Sequence, residues 1–331
     1  MSWRCLPPAI CLVSICLCLA GGGTAAGAGQ ADPAGLSVQV RQCMAQGWQP
    51  AVVEVGGAAR DLLWKAPAGP WPKGAIIVLH GGGGRHVQWC VANAAILAPQ
   101  VRFAERAVAE GFAVVLLDSS DRVTDTAGRL CGKVWDDEVR DRPNLDLPFI
   151  EAVIGRFIPR LRPAASAEGI FLTGLSSGGY MSVRAATRFN DRIAAFAPVA
   201  AGDPYGRHRI CDPALSARPT VFGRAYDNET GRHIPEPGSC AAESHPNEMP
   251  WDDGGAAARP PVRVFRHDSD GIVDASCGEK LDLLLRRHGY PAAPAFVLRG
   301  GRRTLASHFW QDAYTGPVLE FFAGVAGPPG R

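Results

Sequence analysis

The chain has no basic stripe. Its 331 residues carry a formal net charge of +2 with both signs mixed throughout, whereas a nucleic-acid surface needs Lys and Arg clustered on one face. No nucleic-acid partner is expected. Beyond Ala28 no apolar run approaches the roughly 20 residues that a bilayer span requires, so no stable membrane anchor is expected either. No Cys-x-x-Cys pair occurs after Ala28, and His208-x-x-Cys211 has no companions at zinc-site spacing. On that ground neither a metal nor another cofactor is expected. Internal repeats are absent, as is a Ser/Thr-rich linker to a second module.

What is present begins with a targeting pattern. Arg4 gives a short positive region, Ala9–Ala20 is apolar, and small residues lead to Ala26-Gly27-Ala28, an A-x-A-like cleavage site. Residues 1–28 are therefore expected to be a signal peptide, and the protein secreted or periplasmic. The competing reading, an uncleaved anchor, needs a longer apolar run. Cys5, Cys11, Cys16 and Cys18 would leave with the leader; Cys43, Cys90, Cys131, Cys211, Cys240 and Cys277 remain. An even number in an exported chain points to disulfides. Pairing cannot be chosen from spacing, although Cys211–Cys240 is favoured because both residues lie in one weakly patterned stretch. Residues 29–331 have ordinary globular composition, 47% hydrophobic and 20% charged over the whole chain, and are expected to form a single domain.

Periodicity gives the layout. Ala51–Val55 and Leu62–Ala66 suit an opening antiparallel pair. Ala75–Leu79, Ala113–Leu117, Ile170–Thr173 and Ala194–Val199 are short, continuous apolar runs, the pattern of strands buried on both faces. Helical spacing follows at Val101–Glu110, at Asp146–Leu161 with Asp146 as N-cap and Pro148 in the first turn, and at Ser177–Phe189. From about residue 202 to 260 the rhythm breaks into a stretch rich in Pro, Gly and charge, read as an insertion over the active-site edge. It then resumes with a strand at Val262–Phe265, a helix at Ser276–His288, a strand at Ala295–Leu298 and a last helix from Trp310 to Phe322. Alternating buried strands and helices predict an α/β fold with a mainly parallel sheet, helices on both faces, and the insertion placed before the strand that carries the acid discussed next.

The strongest chemical signal is Gly174-Leu175-Ser176-Ser177-Gly178, a G-x-S-x-G between a predicted strand and a predicted helix. That context is what a nucleophile elbow requires; a Gly/Ser-rich turn without chemistry is the bland alternative. His80-Gly81-Gly82-Gly83-Gly84 directly follows another buried strand, where backbone N–H groups would face a developing oxyanion. The expected donors are Ser177 and either Gly82 or Gly83, with His80 structural. A phosphate-binding loop would continue into Lys-Ser/Thr, which is missing here. An elbow serine needs a base, and in this architecture the triad runs serine, acid, histidine. His308, after the last predicted strand, fits the base. Asp270 fits the acid, in the loop after Val262–Phe265; Asp268 is the runner-up, Asp227 a rival after its own short apolar run, and a turn aspartate bonding its own backbone the alternative for Asp270.

His80-Gly-Gly-Gly-Gly, Gly174-Leu-Ser-Ser-Gly-Gly-Tyr-Met181, Asp191–Val199, the His267-x-x-Asp270-x-x-Val273 loop and His308-Phe309-Trp310 together resemble the secreted polyhydroxybutyrate depolymerase and feruloyl esterase-like group of α/β-hydrolases. The resemblance runs from about Ala75 to the C-terminus. It implies the α/β-hydrolase fold, Ser176, Asp270 and His308 as triad, the loop after His80 as oxyanion hole, and a small-molecule or oligomeric ester as substrate. The sequence departs from that group where Arg302–Ser307 separates Gly301 from His308. Two other classes compete: a peptidase on the same scaffold, for which no gating domain is evident, and a non-catalytic binding protein that kept the fold, for which a triad member should be missing.

Overall fold

In the computed structural model, residues 36–123, 133–137, 142–205, 226–227, 232–233 and 259–326 are described. The apolar runs become neighbours in one sheet. β1 (Gln49–Val55) and β2 (Ala58–Lys65) form the expected antiparallel pair, Ala51 opposite Leu62. β3 (Ala75–Leu79), β4 (Ala113–Leu117), β5 (Ile170–Leu175), β6 (Ala195–Val199), β9 (Phe265–His267) and β10 (Phe296–Leu298) run parallel to one another. The eight strands lie in the order β1-β2-β4-β3-β5-β6-β9-β10. A separate short pair, β7 (Tyr226–Asp227) with β8 (Arg232–His233), lies in the region read as an insertion. Apart from residues 202–205 and 259–260, the rest of that region is outside the described residues, as are the leader, Cys131 and the favoured Cys211–Cys240 pair.

The continuous apolar strands divide by the strand period into two cores. Ile77 and Leu79 of β3 face one side with Val115 and Leu117 of β4; there they meet Phe149 and Ile154, Met181 and Leu281. Ile76 and Val78 face the other side with Val114 and Leu116, against Phe103, Trp310 and Phe322. Successive strand residues point to opposite faces, so a run apolar at every position is what a sheet covered on both sides needs. The first core carries α3 (Leu147–Ala152), a π turn (Val153–Phe157) continuing into α4 (Ile158–Leu161), α5 (Ser177–Arg188) and α6 (Ala275–Arg287). The second carries α2 (Ala98–Ala109) and α7 (Asp312–Ala326). A disulfide joins Cys43 of α1 (Val38–Ala45) to Cys90, with the Cα atoms 5.5 Å apart.

Two local expectations are corrected. Asp146 does sit at the N-cap of α3 but does not cap it. Its carboxylate, fully buried, is taken by Arg60 at 2.5 Å and by the N–H groups of Ser120 and Asp136, while Asn144 Oδ1 accepts from Leu147 N–H. The strand expected at Val262–Phe265 pairs continuously only from Phe265 to His267. Val262 makes single bridges to Phe196 and Ala292 instead. The apolar run reported burial, which begins before the ladder does.

Candidate active site

The C-terminal ends of the parallel strands converge on one edge, and the candidate residues lie there. Ser176 ends β5 with φ +55 and ψ −119, a conformation rare for a residue with a side chain. Holding it costs about 1–3 kcal/mol. Neighbouring strands enforce it: Ser176 N–H donates to Val199 O at the end of β6 (2.9 Å), and Ala200 N–H to Phe265 O of β9 (2.9 Å). The flanking glycines are required by contact. A Cβ on Gly174 would collide with the Gly178 carbonyl, and one on Gly178 with the carbonyls of Leu79 and His80. Ser176 is therefore pinned at the N-terminus of the 12-residue helix α5, whose first N–H groups have no partner within the helix.

His308 and Asp270 come together at the same edge. His308 Nδ1 lies 2.8 and 3.0 Å from the two Asp270 carboxylate oxygens, and the residues are 6% and 2% exposed. A proton on Nδ1 makes this pair and leaves Nε2 as the acceptor. Asp270 Oδ1 also accepts from the N–H groups of Ile272 and Val273 (2.8 and 2.9 Å). It is a turn aspartate and the histidine's partner at once, so the two readings of this residue were not exclusive. Asp268 points elsewhere: its carboxylate accepts from Gly300 N–H and Ser269 Oγ. Against the cost of desolvation, those bonds hold its pKa below the usual carboxylate value. Asp227 belongs to the separate β7–β8 pair.

The loop after β3 is held from several sides. His80 is fully buried; its Nδ1 donates to Gly81 O (2.8 Å) and its Nε2 accepts from Ser119 N–H (3.1 Å), which defines a neutral ring. Burial lowers its pKa to about 4, although Asp118 pulls the other way. Burial alone would raise the Asp118 carboxyl, yet His86 at 3.1 Å, His80 and Lys133 hold it well below the ordinary range. Gly84 N–H also donates to Gly81 O (3.0 Å). With that carbonyl committed twice, the N–H of the same trans peptide, Gly82's, points the opposite way. Of the two glycines named from sequence, Gly83 donates its N–H to Lys133 O (2.8 Å), which leaves Gly82 as the candidate donor beside Ser177.

Sequence reading missed the residues that brace this edge. Lys133 and Trp135 lie in a stretch with no periodicity, and Arg303 lies within the stretch that separates Gly301 from His308. Arg303 forms an ion pair with Asp274, the N-cap of α6, and Thr304 bridges to Asp270. An unusual density of Trp, Lys and Asp at Lys133–Asp137 was the only signal available. Among the described residues no group of three or more His, Cys, Asp or Glu is placed to hold a metal ion, and no helix is long and apolar enough to cross a membrane.

No family model matches the chain, and no curated protein matches it in sequence. Solved structures do match in shape. Esterase Est22 aligns with a TM-score of 0.53 at 15% identity, over 84% of this chain and 79% of that one. An arylesterase aligns with a TM-score of 0.53 at 14% identity, over 84% and 85%. A puromycin-hydrolyzing peptidase of Mycobacterium tuberculosis aligns with a TM-score of 0.52 at 17% identity, over 85% of this chain but 40% of the peptidase. Likeness at such identities concerns architecture, here a mostly parallel eight-stranded sheet between helical layers. The chain has the α/β-hydrolase fold.

Proposed function

We propose that the protein is an exported serine esterase acting through an acyl-enzyme on Ser176. The observation that carries this reading is the buried His308–Asp270 pair on the same sheet edge as the strained Ser176 turn. In acylation, His308 Nε2 takes the Ser176 hydroxyl proton as Oγ attacks the ester carbonyl. The carbonyl electrons move onto oxygen, and the N–H groups of Gly82 and Ser177 face that charge. The intermediate collapses, the C–O bond to the alcohol breaks, and His308 returns the proton to the leaving alkoxide. Water then repeats the sequence and frees the acid. Asp270 keeps His308 in the tautomer with Nε2 free and stabilises the imidazolium.

Supporting an ester as substrate are the resemblance to polyhydroxybutyrate depolymerases and feruloyl esterases, and the esterases among the structural neighbours. Polyhydroxyalkanoate-type oligomers and hydroxycinnamoyl esters are the substrate classes proposed. The peptidase reading rests on peptidases among the structural neighbours, of which this chain spans only 40% and 41%. Export is supported by the leader pattern and by the Cys43–Cys90 disulfide.

The test is covalent labelling with an organophosphonate followed by peptide mapping, beside a panel of short acyl esters, hydroxycinnamoyl esters, hydroxybutyrate oligomers and peptide amides. Ser176 should carry the label and Ser177 none. Folded Ser176→Ala should lose ester hydrolysis by about 10⁴-fold or more, the scale of triad removal. Undiminished hydrolysis by that variant, or a label on another serine, would overturn the reading.

A further inference from the structure

We infer that Trp135 is a positioning residue, which joins the two halves of the oxyanion hole into one unit. This rests on the proposed role of Ser176. The halves come from distant parts of the chain: the loop His80–Gly84 after β3, and Ser177 at the start of α5. Three hydrogen bonds from the segment Lys133–Trp135 span them. Lys133 O accepts from Gly83 N–H (2.8 Å), the Trp135 indole Nε1–H donates to His80 O (2.8 Å), and Trp135 N–H donates to Ser177 Oγ (3.2 Å). The indole is fully buried, with its ring centroid 5.1 Å from that of His80.

The segment has no helix or strand to define it, so its position follows from what it bonds. Lys133 Nζ donates to Ser119 O (3.0 Å) and pairs with Asp118 (3.0 Å). Asp136 N–H donates to Asp146 Oδ2 (2.7 Å), and Asp136 O accepts from Arg184 and Asn144. Anchored on both sides, Trp135 fixes the His80 carbonyl and, through Ser177 Oγ, the first residue of α5. The peptide that follows His80 starts the turn presenting Gly82 N–H. A donor aimed at the oxyanion works only if it is already aligned when charge develops, and the indole N–H supplies part of that alignment without touching substrate.

The test is Trp135→Phe, which keeps an aromatic ring in place and removes the donor to His80 O. For a good ester substrate kcat should fall about 10- to 100-fold, the range for a small displacement of oxyanion donors, with KM within about twofold. The rate of organophosphonate labelling should fall in parallel, because that reaction also places charge on an oxygen facing the same N–H groups. The pH profile of kcat should not move, since His308–Asp270 is untouched. A merely structural tryptophan would instead lower the unfolding midpoint and leave kcat of the folded fraction unchanged. If Trp135→Phe does not fold, Ser177→Ala removes the acceptor of the Trp135 N–H while keeping the Ser177 backbone donor, and should lower kcat about 3- to 10-fold at constant KM. Unchanged kcat and labelling rate in folded Trp135→Phe, or unchanged kcat in Ser177→Ala where Trp135→Phe does not fold, with Ser176 still labelled, would overturn this inference and leave the esterase reading standing. No label on Ser176 of the unaltered protein would remove the esterase reading itself.

Discussion

At the scale of single residues, two aspartates two positions apart separate by what they bond. Asp270→Asn should lower kcat about 10³- to 10⁴-fold, because an amide cannot hold His308 in the working tautomer or stabilise its cation. Asp268→Asn should leave kcat within about threefold, as its carboxylate serves a turn on Gly300 N–H. The reverse ranking in steady-state kinetics would move the acid to Asp268. His80 gives a pH prediction. Its folded pKa of about 4 lies below the ordinary 6.5. Between those values the unfolded chain binds the proton and the folded one does not, so stability is present above pH 6.5 and is lost as pH falls towards 4. The loss attributable to His80 is about 3 kcal/mol at most. Urea unfolding of the parent and of His80→Asn across pH 7 to 4 should show a shallower slope for the variant; parallel slopes would mean that His80 is protonated within the fold. Below that window the depressed Asp118 continues the decline, since a lowered carboxylate pKa contributes stability above its unfolded value and loses it in acid.

At the scale of elements, the loops after β9 and β10 are stitched to each other. The Asp274 carboxylate caps α6 through Ser276 N–H (3.0 Å) and pairs with Arg303, and Thr304 bridges to Asp270. Arg302–Ser307 therefore carries His308 to its partner from a braced position. Arg303→Ala removes one member of a largely buried pair and should cost about 3 kcal/mol, together with a fall in kcat as His308 loses its support. Urea unfolding checks the first part; a loss below about 0.5 kcal/mol would place the pair among solvent-screened ion pairs of little worth.

At the scale of the whole molecule, the disulfide closes a long loop. Cys43 and Cys90 are 47 residues apart, and a crosslink over that span stabilises by about 4 kcal/mol through loop entropy. Replacing both cysteines by alanine should lower the denaturant midpoint accordingly while leaving kcat of the folded protein near its original value. The bridge ties α1 to the turn following the glycine loop but touches no proposed catalytic group. If kcat fell with stability held, the bridge would be shaping the loop itself. The exported protein should begin after Ala26 or Ala28 on N-terminal sequencing; an intact Met1 in a membrane fraction would reverse the proposed localisation.

Local pattern was sufficient for the central strands β3 and β4. Ala75–Leu79 and Ala113–Leu117 occupy the spans read from their apolar runs, because burial on both faces leaves no polar position to blur the ends. The elbow was equally legible, since a serine between colliding glycines at a strand-to-helix turn is a local requirement of the backbone. So were Asp270 and His308 as candidates, through chain order. Their mutual contact, the exclusion of Asp268 from it and the spending of Gly83 N–H on Lys133 were not legible, because each depends on which way a side chain or peptide turns once distant loops meet. Trp135 and Arg303 left no periodic trace for the same reason. Their partners lie 55 and 29 residues away, and a hydrogen bond between loops imposes no repeat on the sequence of either.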